Sequence, residues 1–265
     1  MKKVKKNDNW AIKDPVTGAV INMDYSSGSE KKNRNELISS FRSCPIPDES
    51  ILSNLGLFFT SKTLSRILFL HEFYLKGIDI MGQIFDFGTR WGQNISIFMA
   101  CRGIYEPFNR HRKIVGFDTF GGFPHYANED GESTLIGKGN IGVTDEYFSY
   151  VSKLLATLDE NSLPHLTKFE LMKGDASEKI IEYFDKNPHA IVSHAFFDFD
   201  LYKPTKDCLE IILQRTPKGG VIGFDEINDE DSPGETKALF ELFPKLNIKL
   251  IKPRNVSRVC YFIKE

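Results

Sequence analysis

Two apolar runs that stop abruptly at carboxylates constrain this chain more than any other feature. Ala195-Phe196-Phe197 runs into Asp198-Phe199-Asp200-Leu201-Tyr202, and Gly219-Gly220-Val221-Ile222-Gly223-Phe224 into Asp225-Glu226. A segment of helix length, from Pro204 to about Arg215, lies between them. Two buried parallel strands joined by a crossover helix produce such a pattern. They would set Asp198, Asp225 and Glu226 side by side at the carboxyl edge of one sheet, where α/β folds bind ligands. Acids gathered there repel one another unless a positive charge sits among them. A hard divalent cation such as Mg2+, which takes oxygen ligands, is the natural candidate. Strand-end and cap residues facing water would give the same sequence, so both readings stay open.

The alternation continues on either side. Strands are predicted over 83–87, 113–117, 169–173, 190–197, 220–224, 249–251 and 259–263. Amphipathic or apolar helices are predicted over 64–77, 92–102, 145–158, 178–184, 206–215 and 235–243. Strands alternating with helices specify an α/β fold, a mostly parallel sheet covered on both faces. Only six residues, 252–257, separate the last two strands. That leaves no room for a crossover helix, so they should pair antiparallel. Residues 1–48 are polar and turn-rich and read as an irregular N-terminal arm, either disordered or folded over a ligand or a partner subunit. Residues 49–265 read as one domain.

With 265 residues, 41% of them hydrophobic, the chain can bury a core that needs no disulfide or structural metal. Its formal net charge of -2 argues against a nucleic-acid partner. No stretch has the length of a membrane span, and the basic start Met1-Lys2-Lys3-Val4 has no apolar run behind it, so a cytoplasmic protein is expected. Cys44, Cys101, Cys208 and Cys260 are mutually distant, which suits small buried hydrophobes in a reducing compartment.

Three further segments carry chemistry. In Asp86-Phe87-Gly88-Thr89-Arg90-Trp91-Gly92 a strand runs into Gly88 and Gly92 opens a helix. Glycine at such a turn lets a ligand approach the backbone, and a helix N-terminus favours negative charge such as a carboxylate. The spacing is not that of dinucleotide folds, and Asp86 suits a cationic ligand better than a diphosphate. Asp118, ending the second strand before Thr119, can accept from both ribose hydroxyls; taken alone it also suits a nicotinamide cofactor. Asp175 can accept from an adenine amino group, although by itself it reads as a helix N-cap.

Taken together, these segments resemble the class I S-adenosylmethionine-dependent methyltransferases, and within them the macrocin O-methyltransferase family, which acts on sugars. The resemblance covers about residues 55 to 263. It is carried by Asp86–Gly92, Gly116-Phe117-Asp118-Thr119-Phe120-Gly121-Gly122-Phe123-Pro124, Gly174-Asp175, Asp198-Phe199-Asp200-Leu201-Tyr202, Pro217-Lys218-Gly219-Gly220, Asp225-Glu226 and Pro233-Gly234-Glu235-Thr236-Lys237-Ala238. It implies a Rossmann-like sheet of seven strands with one reversed. It implies a cofactor site of Asp86, Gly88, Thr89, Arg90, Asp118, Thr119, Asp175 and Ala176. Asp86 and Gly88 would face the methionine part, Asp118 the ribose, and Asp175 with Ala176 the adenine. Asp198, Asp225 and Glu226 would hold Mg2+, and a homo-oligomer is implied. The chain departs from the family in two places: Asp225-Glu226-Ile227 replaces an Asp-Asp-Tyr run, and Arg90-Trp91 reverses the family's order.

The activity this implies is O-methylation of a sugar-containing acceptor, with Asp198 as metal ligand and general base. His125 and His194 are the alternative bases. The long loop 119–142, with Phe120, Phe123, His125 and Tyr126, is placed to close over the acceptor. A nicotinamide-dependent oxidoreductase and a non-catalytic nucleotide-binding protein are the competing readings.

Overall fold

The computed structural model describes residues 12–14, 16–21, 27–161 and 163–265. Two short strands, β1 (Ile12–Lys13) and β2 (Val20–Ile21), form an antiparallel pair. Helices α1 (Gly28–Arg42), α2 (Asp48–Ile51) and α3 (Ser61–Lys76) follow. The remaining elements are β3 (Gln83–Phe87), α4 (Gln93–Tyr105), β4 (Ile114–Asp118), α5 (Tyr147–Asp159), β5 (Phe169–Lys173), α6 (Ala176–Lys186), β6 (Val192–Phe197), α7 (Tyr202–Arg215), β7 (Val221–Phe224), α8 (Gly234–Leu242) and β8 (Cys260–Ile263).

The main sheet has six strands in the order β5-β4-β3-β6-β7-β8, all parallel except β8. The chain steps outward from β3 to β5, returns to the middle, and steps the other way from β6. That reversal places a topological switch point between β3 and β6. The seventh expected strand, 249–251, is a correction. Only Ile251 bridges, antiparallel to Tyr261, on the edge of β8 that faces away from β7. The expected irregular arm also needs correcting in part: α1 begins at a capping box in which Ser27 and Glu30 satisfy each other's backbone N–H groups. Residues 1–11, 15 and 22–26 of that arm lie outside the described residues.

Strand side chains alternate between two faces. One face carries Ile84, Ile114, Phe196 and Val221 against Phe69, Leu70, Phe73 and Tyr74 of α3 and against α4 and α5. The other carries Phe85, Phe87, Phe117, Phe197, Ile222 and Phe224 against α6, α7 and α8. Stacked rings tie the strands of the second face together: Phe87 lies 4.9 Å from Phe117 and 4.6 Å from Phe197, centroid to centroid. Cys101, Cys208 and Cys260 are buried as expected, whereas Cys44 is partly exposed. Among the described residues no helix is long and apolar enough to cross a membrane.

His194 sits in the first face, fully buried. Its Nδ1 lies 2.8 Å from Ser193 Oγ and its Nε2 2.8 Å from the Tyr74 carbonyl oxygen, and its ring stacks on Tyr74. Burial pushes its pKa down from 6.5 to about 4. It is therefore a neutral core histidine and not a base. Protons bind the unfolded chain more readily than the folded one, so His194 lowers stability as pH falls from 6.5 towards 4. Urea unfolding of a His194→Gln variant should show a shallower loss of stability across that window than the parent chain. Equal slopes would contradict this assignment.

Candidate functional site

The carboxyl ends of β3, β4 and β6 open into a cavity of about 540 Å3, within the roughly 300–1,000 Å3 of small-molecule sites. Its floor is the turn from Gly88 to Gly92. Gly88 has φ +85°, and a Cβ there would lie 1.9 Å from the Asp198 carbonyl oxygen. Only glycine lets the ends of β3 and β6 meet so closely. Gly92 caps α4 in a left-handed conformation, so the helix N-terminus faces the cavity beside Gln93 and Asn94.

Asp118 borders the cavity where β4 ends. Its two carboxylate oxygens accept from the backbone N–H groups of Arg90 (2.8 Å) and Phe120 (2.6 Å), joining the turn after β3 to the loop after β4. Burial raises its pKa, with those two N–H groups opposing the rise. Thr119 accepts from Gly121 N–H and donates to the Gly122 carbonyl, shaping the next turn. Asp175 caps α6 through Ser177 N–H at 2.9 Å, and Asp175 and Ala176 both line the cavity. The cap accounts for Asp175 structurally without removing it from the site. Thr89 and Arg90 line the cavity as well, and burial lowers the Arg90 pKa against the pull of Asp200 and Asp118.

Asp86 is placed differently. It lies fully buried beneath the cavity, where Oδ1 accepts from Asn94 Nδ2 at 3.0 Å and Oδ2 has no partner. Burial raises its pKa to about 6. It reaches the site through Asn94.

On the opposite side stand Asp198 and Asp225, bridged by Arg66 of α3. One guanidinium nitrogen donates to Asp198 at 2.9 Å and to Asn94 at 3.1 Å, and the other to Asp225. Asp198 keeps 27% of its side chain exposed towards the cavity. Desolvation, then the charge of Asp225, holds its pKa well above the usual carboxylate range.

Loop 119–142 forms the roof, contributing Phe123, Pro124, His125 and Ile141 to the lining. Phe123, Leu135 and Leu201 make a small core of their own beneath it. Two of its expected acceptor contacts are elsewhere: Phe120 is buried against Phe148, and Tyr126 is an exposed residue outside the lining. The N-terminal arm reaches this roof. Asp14, buried, accepts from Val16, Thr17 and Ile141 N–H groups, the last at 2.6 Å, and Thr17 donates to Asn140.

No family model and no curated protein matches this sequence. Solved structures do match. The structure of CalS11, described as a calicheamicin methyltransferase, is 32% identical and superposes with a TM-score of 0.87 over 91% of this chain and 94% of that one. The apo structure of CalS11, described as a TDP-rhamnose 3'-O-methyltransferase, matches at 30% identity and a TM-score of 0.80, covering 91% and 96%. NovP, an O-methyltransferase 18% identical with a TM-score of 0.55 over 76% and 79%, shares the fold. The chain belongs to the CalS11 family of class I S-adenosylmethionine-dependent O-methyltransferases. The oxidoreductase and non-catalytic readings fall with that finding.

The methyltransferase's cavity fits its cofactor. Carboxylates at Asp118 and Asp175 can accept from hydroxyl and amino groups, the turn at Gly88 leaves the floor open, and the unpartnered Asp86 oxygen lies under a pocket for a cationic ligand. The Mg2+ cage does not form as expected, and this is a correction. Asp225 shares the α3 face with Asp198, because Asp198 N–H and Asp225 N–H continue the strand pairing at 2.9 Å each. Glu226, the next residue, therefore points to the opposite face. There it is buried against Arg258 at 2.7 Å and beside Asp200; both of those neighbours line the cavity, whereas Glu226 itself does not. Among the described residues no three His, Cys, Asp or Glu side chains are grouped to hold a metal.

The sequence alone assigns no site role to Arg66, Arg258, Asn94 or Glu235, although Glu235 lies in a segment that carries the resemblance. Glu235 is fully buried, and its oxygens accept from Phe199 and Glu226 N–H groups, fixing the loops after β6 and β7. A signal existed for two of them. Arg66 falls on the stripe of Phe69, Leu70 and Phe73, and Glu235 on that of Ala238 and Leu239. A charge on a buried stripe needs a buried partner.

The Asp14 contacts predict that an Asp14→Ala variant loosens the roof. Limited proteolysis should cut within 119–142 several-fold faster than in the parent, with the core unfolding transition little changed. Unchanged cleavage would show that the arm does not brace the loop.

Proposed function

We propose that the enzyme transfers a methyl group to a hydroxyl of a sugar-containing acceptor, a nucleotide sugar being the first candidate. The supporting observation is the Asp198 carboxylate, exposed to the cavity, clamped by Arg66 and raised in pKa, in a chain that matches CalS11 over nearly its full length. CalS11 is described as acting on TDP-rhamnose.

Bound S-adenosylmethionine supplies an electrophilic methyl carbon. In this reading Asp118 holds the ribose, Asp175 with Ala176 the adenine, and Gly88, Thr89, Arg90 and Thr119 shape the wall. Asp86 serves the methionine end through Asn94. Asp198 accepts the hydroxyl proton as the acceptor oxygen bonds to the methyl carbon and the carbon–sulfur bond breaks, so the proton remains on the carboxyl group. A carboxylate with a raised pKa is a stronger base than an ordinary one. The roof at Phe123 and His125 keeps water from the reacting oxygen. The exposed Leu52, Leu57, Leu64 and Leu68 on consecutive helices support self-association.

Formation of S-adenosylhomocysteine over a panel of nucleotide sugars, TDP-rhamnose first, tests this reading. Asp198→Asn should lower kcat by about 100-fold or more, while calorimetry shows nearly unchanged affinity for S-adenosylhomocysteine. Asp118→Asn should do the reverse, weakening that affinity about tenfold or more. Full turnover by the Asp198 variant would remove the proposed base.

A further inference from the structure

We infer that Arg66 is the resident cation of this site, standing between Asp198 and Asp225 where the family resemblance places Mg2+, and that it positions the base without a divalent ion. The inference rests on the methyl-transfer reading above. Four observations carry it. The guanidinium spans both carboxylates, one nitrogen to each, and adds a bond to Asn94. Such a planar fork suits two carboxylates at once. Its charge lies 5.0 Å from the Phe196 ring centroid, and its side chain is only 19% exposed, so it packs between α3 and the sheet and is not laid across the surface. The third acid of the expected cage, Glu226, is turned to the other face and paired with Arg258. A divalent ion placed between Asp198 and Asp225 would meet the positive charge of Arg66 already bonded to both.

The consequence is a division of labour within the chain. A metal bound to a hydroxyl would stabilise the alkoxide directly. Arg66 binds the carboxylates, so it fixes where Asp198 points and leaves proton removal to Asp198. Arg66 is thus a positioning residue. It draws together strand ends β6 and β7 and the first turn of α4, through Asn94.

Calorimetry of the full chain with MgCl2, in the presence of S-adenosylhomocysteine, tests the inference without needing an acceptor. The parent chain should bind no Mg2+ at millimolar concentration. A folded Arg66→Ala variant should gain a site, because its two carboxylates are released. With an acceptor from the sugar panel, chelator should leave the parent's turnover unchanged. Arg66→Ala should lose about 100-fold in kcat, regained in part by added ethylguanidinium, a readout that a purely structural role would not move. Arg66→Lys, which keeps charge but not the fork, should fall between and covers the case of an Ala variant that does not fold. Stoichiometric Mg2+ binding by the parent, or turnover abolished by chelator, would overturn the inference. So would unimpaired kcat in Arg66→Ala. If no sugar releases S-adenosylhomocysteine, the acceptor proposal fails and the Mg2+ titrations still decide the role of Arg66.

Discussion

The alternation of side chains along a buried strand decides what this active site can be. Asp86, Asp198 and Asp225 have the parity of Phe196 and therefore share the α3 face, whereas Glu226 has the parity of Phe224 and goes to the α7 and α8 side. Adjacent acids in the sequence become members of two neighbouring clusters. One is held by Arg66 at the cavity. The other, Glu226 with Asp200 and Glu235, adjoins it: Asp200 reaches the same cavity and Glu235 organises backbone.

Each cluster concentrates negative charge in poorly solvated surroundings, which is costly unless the charges are paired or protonated. The chain answers in both ways. Arg66 and Arg258 bring positive charge to the two clusters, while the pKa values of Asp198, Asp200 and Glu235 are all raised by burial first and by neighbouring carboxylates after it. The raised pKa of Asp198 is thus a by-product of crowding, made possible by the same packing that stabilises the sheet.

Much of this was legible in the residues. Apolar runs ending at Asp118, Asp198 and Asp225 marked the strands and the sheet edge they share, and the short link before β8 announced the reversed strand. Loop-closing glycines marked the floor. The strand expected at 249–251, Lys-Leu-Ile, shrank to a bridge at Ile251, because so short a pattern does not say how many of its residues pair. Helix α1 was missed since none of its residues is buried, so it has no apolar stripe to read. The expected grouping of Asp198, Asp225 and Glu226 is absent from the structure for a different reason. Proximity in sequence was read as proximity of side chains, and the competing cation lay 132 residues from Asp198, beyond any local pattern.

Gly88 bears on how this fold can diversify. With its α-carbon against the Asp198 carbonyl, the turn after β3 and the end of β6 are parts of one block, and neither can shift without the other. A change of acceptor preference cannot come from remodelling that block. Room for variation lies at the periphery, in the segment stapled by Asp14 and at the half-exposed Arg258 on the cavity rim, above a floor that packing holds fixed.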